Sequence, residues 1–150
     1  MKPYRLVLIL LLLLLTLSPI SAWSGGPAVS ASKVWIRQSP PGVTVLAGYF
    51  TLQDLTDKPL DLKSVSSPNF ASVEMHRSFV KDGQEQMAPV LSITLPAHGS
   101  VEFKPGSYHL MLMQPKKNLF AGDMVTLTLE FSDGSELTLM APVRRDPPQR

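Results

Sequence analysis

The run Met124-Val-Thr-Leu-Thr-Leu-Glu-Phe131, followed by Ser132-Asp133-Gly134-Ser135 and Glu136-Leu-Thr-Leu-Met-Ala-Pro142, alternates twice around one turn. Leu127, Leu129 and Phe131 fall on one side of an extended chain, while Thr126, Thr128 and Glu130 fall on the other. That period of two belongs to a strand with one buried and one wet face. Beyond Asp133-Gly134 the same alternation resumes at Leu137 and Leu139. A three-residue loop keeps both apolar faces on the same side, whereas a slip of one residue would turn Leu137 and Leu139 outward.

The rest of the chain has the same grammar. Fourteen prolines and repeated Gly or Asp-Gly punctuation leave no helical periodicity after the N-terminal segment. Short strands are expected at Lys33 to Arg37, Leu46 to Gln53, Leu60 to Ser66, Ser72 to Val80, Gln84 to Val90, Ser100 to Phe103, Tyr108 to Gln114, Met124 to Phe131 and Glu136 to Pro142. Strands of this spacing, with turn signals between them, predict an all-β sandwich or barrel.

The N-terminus reads differently. Lys2 and Arg5 precede an almost unbroken apolar run from Leu6 to Leu17, and small residues fill Pro19 to Ser24. This is the layout of a secretory signal peptide, with cleavage after Ala22 or Ser24. The apolar run is short for a membrane span. Residues 1–24 are therefore expected to be the signal, 25–32 a flexible leader, 33–143 the folded domain and 144–150 a polar tail. Of the 14 basic side chains Lys2 and Arg5 leave with the signal, so twelve remain against twelve acidic ones. A chain of zero net charge lacks the basic stripe that displaces counterions from a duplex, so no nucleic-acid partner is expected. Membrane insertion of the mature chain is not expected either. About 125 residues is the usual size of one domain, and the exported portion is expected to be a monomer.

The chain has no cysteine and only three histidines. Its core must therefore hold without disulfides, and the thiolate of a blue-copper centre is not available. The absence of cysteine near the cleavage boundary also argues against a lipid-anchored product. No Ser/His/Asp or Cys/His arrangement, Gly-rich phosphate loop or HExxH is present, so catalysis is not expected. What does stand out is His76, Met87, His109 and Met111. Ten residues separate the first pair, twenty-one separate Met87 from His109, and His109-Leu110-Met111 closes the pattern. Thioether sulfur is neutral and polarizable, and imidazole suits copper, zinc, iron and nickel; the preferences overlap at copper(I).

That spacing resembles the signature of the PCu(A)C family of periplasmic copper chaperones. The likeness runs from about Val34 to Val143, through Ala47-Gly48-Tyr49, Val65-Ser66-Ser67-Pro68, Asp82-Gly83 and the dense block Pro105-Gly106-Ser107-Tyr108-His109-Leu110-Met111-Leu112-Met113. The resemblance implies a cupredoxin-like Greek-key fold and one copper(I) per chain, held by His76, Met87, His109 and Met111. It also implies an acceptor protein, the copper subunit of cytochrome c oxidase or a thioredoxin-like Sco-type assembly protein. Some relatives carry a Met- and His-rich C-terminal extension for a second copper, but Arg144 to Arg150 has neither residue.

Strand geometry sets how the four donors could meet. His109, Met111 and Met113 share one face of their strand. A two-residue turn at Asp82-Gly83 would set His76 opposite Pro89 and make Met87 its diagonal neighbour on the same face. A three-residue turn would send them to opposite faces; the family spacing favours the first. Met75, Met124 and Met140 read as core filler, as does Met113, and His98 as an exposed turn residue. Glu74 shares the face of His76 and could orient its imidazole, but is expected to be solvated. A sequestration protein with the same site, and a metal-free binding module, are the competing functions.

Overall fold

The computed structural model describes residues 27–148, all of whose regular structure is β. Ten strands follow one another: β1 (Val29–Arg37), β2 (Val45–Asp54), β3 (Leu60–Ser66), β4 (Phe70–Lys81), β5 (Gln84–Pro89), β6 (Ile93–Leu95), β7 (Ser100–Phe103), β8 (Tyr108–Pro115), β9 (Met124–Phe131) and β10 (Glu136–Arg144). The order across the sheet is β5-β4-β8-β7-β2-β1-β10-β9-β3-β6, with β8 also pairing β2. Two leaves result, joined where β1 runs parallel to β10. The fold is an all-β, cupredoxin-like sandwich.

The core lies between the leaves. Leu46, Phe50, Leu52, Leu110 and Leu112 from one leaf meet Leu62, Val125, Leu127, Leu129 and Val143 from the other, all essentially inaccessible. Alternation explains most of this, and two bulges explain the rest. Leu62 and Val65 both point inward at an odd spacing because the β3 register shifts between Leu62 and Ser64. A shift between Ser32 and Trp35, with Lys33 at φ 52°, swaps the parity of β1. Ile36 then enters the core, and Trp35 stacks on Tyr49 outside it with ring centroids 4.9 Å apart.

The β9–β10 hairpin has the three-residue loop its patterning requires. Leu137 pairs with Leu129 and Leu139 with Leu127. Gly134 at φ 81° supplies the left-handed residue that closes such a loop. Asp133 accepts the backbone N–H and hydroxyl of Ser135, and these bonds hold its carboxyl below the usual range.

Several expectations need correction. The expected leader 25–32 is strand from Val29 onward, since Val29 to Ser32 pair with Asp54 to Thr51 and Val29 is buried. Its alternation is weak in Ser30-Ala31-Ser32, so tertiary pairing rather than local pattern makes it a strand. The short β6 was not expected at all. The tail starts one residue late, because Arg144 is still paired. Met75 is core, but Met124 and Met140 are exposed, having the parity of Thr126 and Thr138 on the wet side of their leaf. Met113 is half-buried on the outer face of β8 and takes no part in the core. The signal-peptide residues 1–24 lie outside the described residues.

Candidate metal centre

Three neighbouring strands of one leaf carry the four candidate donors. The β4–β5 turn has two residues, with Asp82 at φ 53° and Gly83 at φ 75°. Both central residues at positive φ define the turn whose twist matches a hairpin, and glycine takes it without strain. The register that follows puts His76 opposite Pro89 and Met87 opposite Ser78, so His76 and Met87 are diagonal neighbours on one face. On its other side β4 pairs with β8, where His76 lies directly opposite His109 and Glu74 opposite Met111. The two imidazole centroids are 5.9 Å apart.

This face is the one turned away from the core. Met75, Leu110 and Leu112 point into the sandwich, so His76, His109 and Met111 point out of it. A cavity of about 320 Å³ opens there, and its walls include Arg37, Tyr49, Ser78, Met87, His109 and Met111. Three candidate donors thus line one space, and His76 stands at its side. Accessibility grades across the set: His109 is 7% exposed and Met87 56%. Burial raises the Tyr49 phenol above its ordinary value, with Arg37 opposing, so the ring presents a neutral hydroxyl at neutral pH.

Hydrogen bonds fix both imidazoles. His109 Nδ1–H donates to the Ser107 carbonyl at 3.1 Å, a partner that can only accept, which leaves Nε2 as the lone-pair nitrogen. His76 Nε2–H donates to Glu74 Oε2 at 2.9 Å, so its lone pair is on Nδ1. That Nδ1 is buried and has no hydrogen-bond partner. An orphaned acceptor of this kind normally costs stability, and a bound cation would satisfy it. Each ring therefore has one nitrogen anchored by an acceptor and the other free, the usual state of a metal-binding histidine. The donor set fits a soft monovalent ion.

Sequence reasoning missed two features here. Glu74 is not merely solvated; it holds His76. Its position two residues away on the same face was visible, but the ring's turn toward it was not. Tyr49 reaches the cavity through the pairing of β2 with β8, and Arg37 through that of β1 with β2, which no local pattern announces. His98 is an exposed turn residue, as expected, at φ 54° with Nε2 on Asp57 at 2.8 Å. Among the described residues no cluster of three or more His, Asp or Glu side chains provides an alternative metal site.

The β-sandwich thus presents two imidazoles and two thioethers on the outer face of one leaf. The chain belongs to the LpqE-like family, which it matches over residues 29–143. It is 31% identical over 130 residues to a protein of Leifsonia xyli subsp. xyli bearing the name "Putative lipoprotein Lxx21020", covering 84% of this chain and 77% of that one. It is 34% identical over 103 residues to RP573 of Rickettsia prowazekii (strain Madrid E), spanning 57% of that protein. Among solved structures, the copper-bound PCuAC domain from PmoF2 superposes with a TM-score of 0.68 at 25% identity, covering 81% of this chain and 97% of that domain. The copper(I) form of DR1885 from Deinococcus radiodurans gives 0.61 at 27% identity, covering 84% of each chain. The PCuAC likeness seen in the sequence therefore extends to the fold.

Proposed function

We propose that this protein is an exported copper(I) carrier, which holds one ion per chain between His76, Met87, His109 and Met111 and passes it on by ligand exchange. The single observation that carries this reading is the cavity shared by Met87, His109 and Met111, beside the unpartnered Nδ1 of His76. The copper-bound state of the PmoF2 domain and of DR1885 supports the choice of metal. A neutral set of two imidazoles and two thioethers leaves copper(I) with one positive charge and disfavours copper(II), which prefers nitrogen and oxygen donors in tetragonal geometry. Thioethers need no deprotonation, so acid weakens the site only through the imidazoles.

Ligand exchange suits the gradient of exposure. Met87 sits on an edge strand and is the donor an incoming ligand can displace first, while His109 retains the ion. The compartment in this reading is the periplasm, consistent with the signal layout of residues 1–24, and the carrier is a monomer. The acceptor is the copper subunit of cytochrome c oxidase, reached directly or through a Sco-type assembly protein.

Anaerobic titration of the purified protein with copper(I) against a chromophoric chelator tests the site. One tight equivalent that is absent from a His109→Ala/Met111→Ala variant supports it. No competition with the chelator would leave a metal-free binding module as the better account, and unchanged binding in that variant would mean that the ion is held by other residues. Loss of the gene tests delivery: a respiratory-oxidase defect rescued by added copper supports it, whereas copper sensitivity alone supports sequestration.

A further inference from the structure

The outer face that carries the donors continues into a cationic one. In a single cross-sheet row Met111 pairs with Ala47, Ala47 with Arg37 and Arg37 with Arg144. Arg37 follows the fully buried Ile36 and Arg144 follows the buried Val143, so both guanidiniums leave the sandwich on the donor side. At about 4.8 Å per strand, Arg37 is roughly 10 Å from Met111, and Arg144 one strand further. Like charges on directly paired positions repel, and a fold gains nothing from placing them so.

Among the described residues no ion pair engages this pair, and the carboxylate in the same row, Glu74 opposite Met111, is bonded to His76. The ion pairs among the described residues are His76–Glu74, His98–Asp57 and Lys104–Glu102, none of which involves Arg37 or Arg144. Asp146 lies two residues beyond Arg144, and Asp123, whose carbonyl accepts the Val143 N–H, has its carboxylate on the Phe120 N–H at 2.9 Å. Glu130, Asp133 and Glu136 lie at the far end of β9 and β10, about 26 Å away along the strand. Arg37 is further steadied over the Trp35 ring, 5.9 Å from its centroid, and it lines the donor cavity itself.

We infer that Arg37 and Arg144 form an anchor for a carboxylate-rich rim on the protein that receives the copper. This rests on the carrier reading above. An acidic side chain bonded to Arg37 brings its own backbone over the cavity, where donors beside it reach the ion on the exposed Met87 side. Two fork-shaped guanidiniums recognise paired carboxylates bidentately and steer the approach of an acidic partner. They act on encounter and orientation and do not touch the ion.

The test uses two synthetic peptides with the same central His/Met donor sequence, one flanked by glutamates and the other by lysines. The purified protein is first loaded with one equivalent of copper(I), and transfer to each peptide is followed by stopped flow at low and high salt. The glutamate-flanked peptide is expected to take copper about tenfold faster at low salt, with the advantage lost at high salt. Arg37→Gln/Arg144→Gln abolishes the advantage, and Arg144→Gln alone, outside the cavity lining, reduces it while copper affinity and thermal unfolding stay at wild-type values. Arg37→Lys/Arg144→Lys keeps part of it, and Lys116→Gln/Lys117→Gln, at the far end of β8, keeps all of it. Equal rates for the two peptides, or a glutamate advantage that survives in Arg37→Gln/Arg144→Gln, would overturn the anchor alone. Failure to load copper at all would overturn the carrier reading and the anchor with it.

Discussion

At the scale of single residues the site is organised by what holds the imidazoles rather than by the donors alone. Glu74, about half exposed, fixes the tautomer of His76 from the solvent side. Glu74→Ala should lower copper(I) affinity by about ten- to a hundredfold, the usual range for an orienting partner. Chelator competition measures the affinity, and an unchanged thermal transition shows that the fold is intact. Met87→Ala should chiefly speed release, by about tenfold, because affinity changes at one site appear mostly as dissociation rate. Stopped-flow transfer to a chelator reads it, and stability should not change, since Met87 is 56% exposed. Affinity should also fall as pH falls, because protons compete with the ion for His76 Nδ1 and His109 Nε2. The types and spacing of the four candidate donors were legible in the sequence, and the structure sets them on one face. The Ser107 carbonyl was not, because a side chain's bond to the backbone two residues back leaves no mark on composition.

At the scale of elements the β4–β5 hairpin is the critical device. Its turn converts a sequence spacing into a shared face: two residues bring His76 and Met87 together, and three would separate them. Inserting one glycine between Asp82 and Gly83 should therefore weaken copper(I) binding severely. The core should survive, since nothing in β5 is buried. Far-UV circular dichroism with a chelator titration separates those two outcomes. The hairpins were readable because Asp-Gly flanked by alternation carries turn type and register together. The start of β1 was not, since Ser30-Ala31-Ser32 has little hydrophobic contrast and takes its pairing from β2. Nor was β6, whose three residues are too few to show a period before Pro96 interrupts them. The bulges that redirect Ile36 and Val65 are likewise set by tertiary packing.

Across the whole molecule the sandwich serves as a rigid back for the donor face. Gly48 shows how closely the two are coupled. A Cβ there would stand 3.1 Å from Leu112 Cδ1 and 3.2 Å from Leu110 Cβ, on the strand that carries His109 and Met111. Gly48→Ala should cost about 1–3 kcal/mol in urea denaturation and weaken copper binding as β8 shifts. Leu127→Ala, in the opposite leaf, should cost about 2–5 kcal/mol yet leave copper stoichiometry unchanged wherever the protein is folded. The general fold was legible because alternation and turns recur along the chain, whereas the pairing of β1 with β10, which sets Arg37 beside Arg144, is a long-range contact. The most direct test of the central claim is X-ray absorption at the copper K-edge of the protein loaded anaerobically with one equivalent. Copper(I) with two nitrogen and two sulfur neighbours is expected, with the loss of one sulfur in Met87→Ala. A first shell of nitrogen and oxygen alone, or a sulfur count unchanged in Met87→Ala and Met111→Ala, would contradict it.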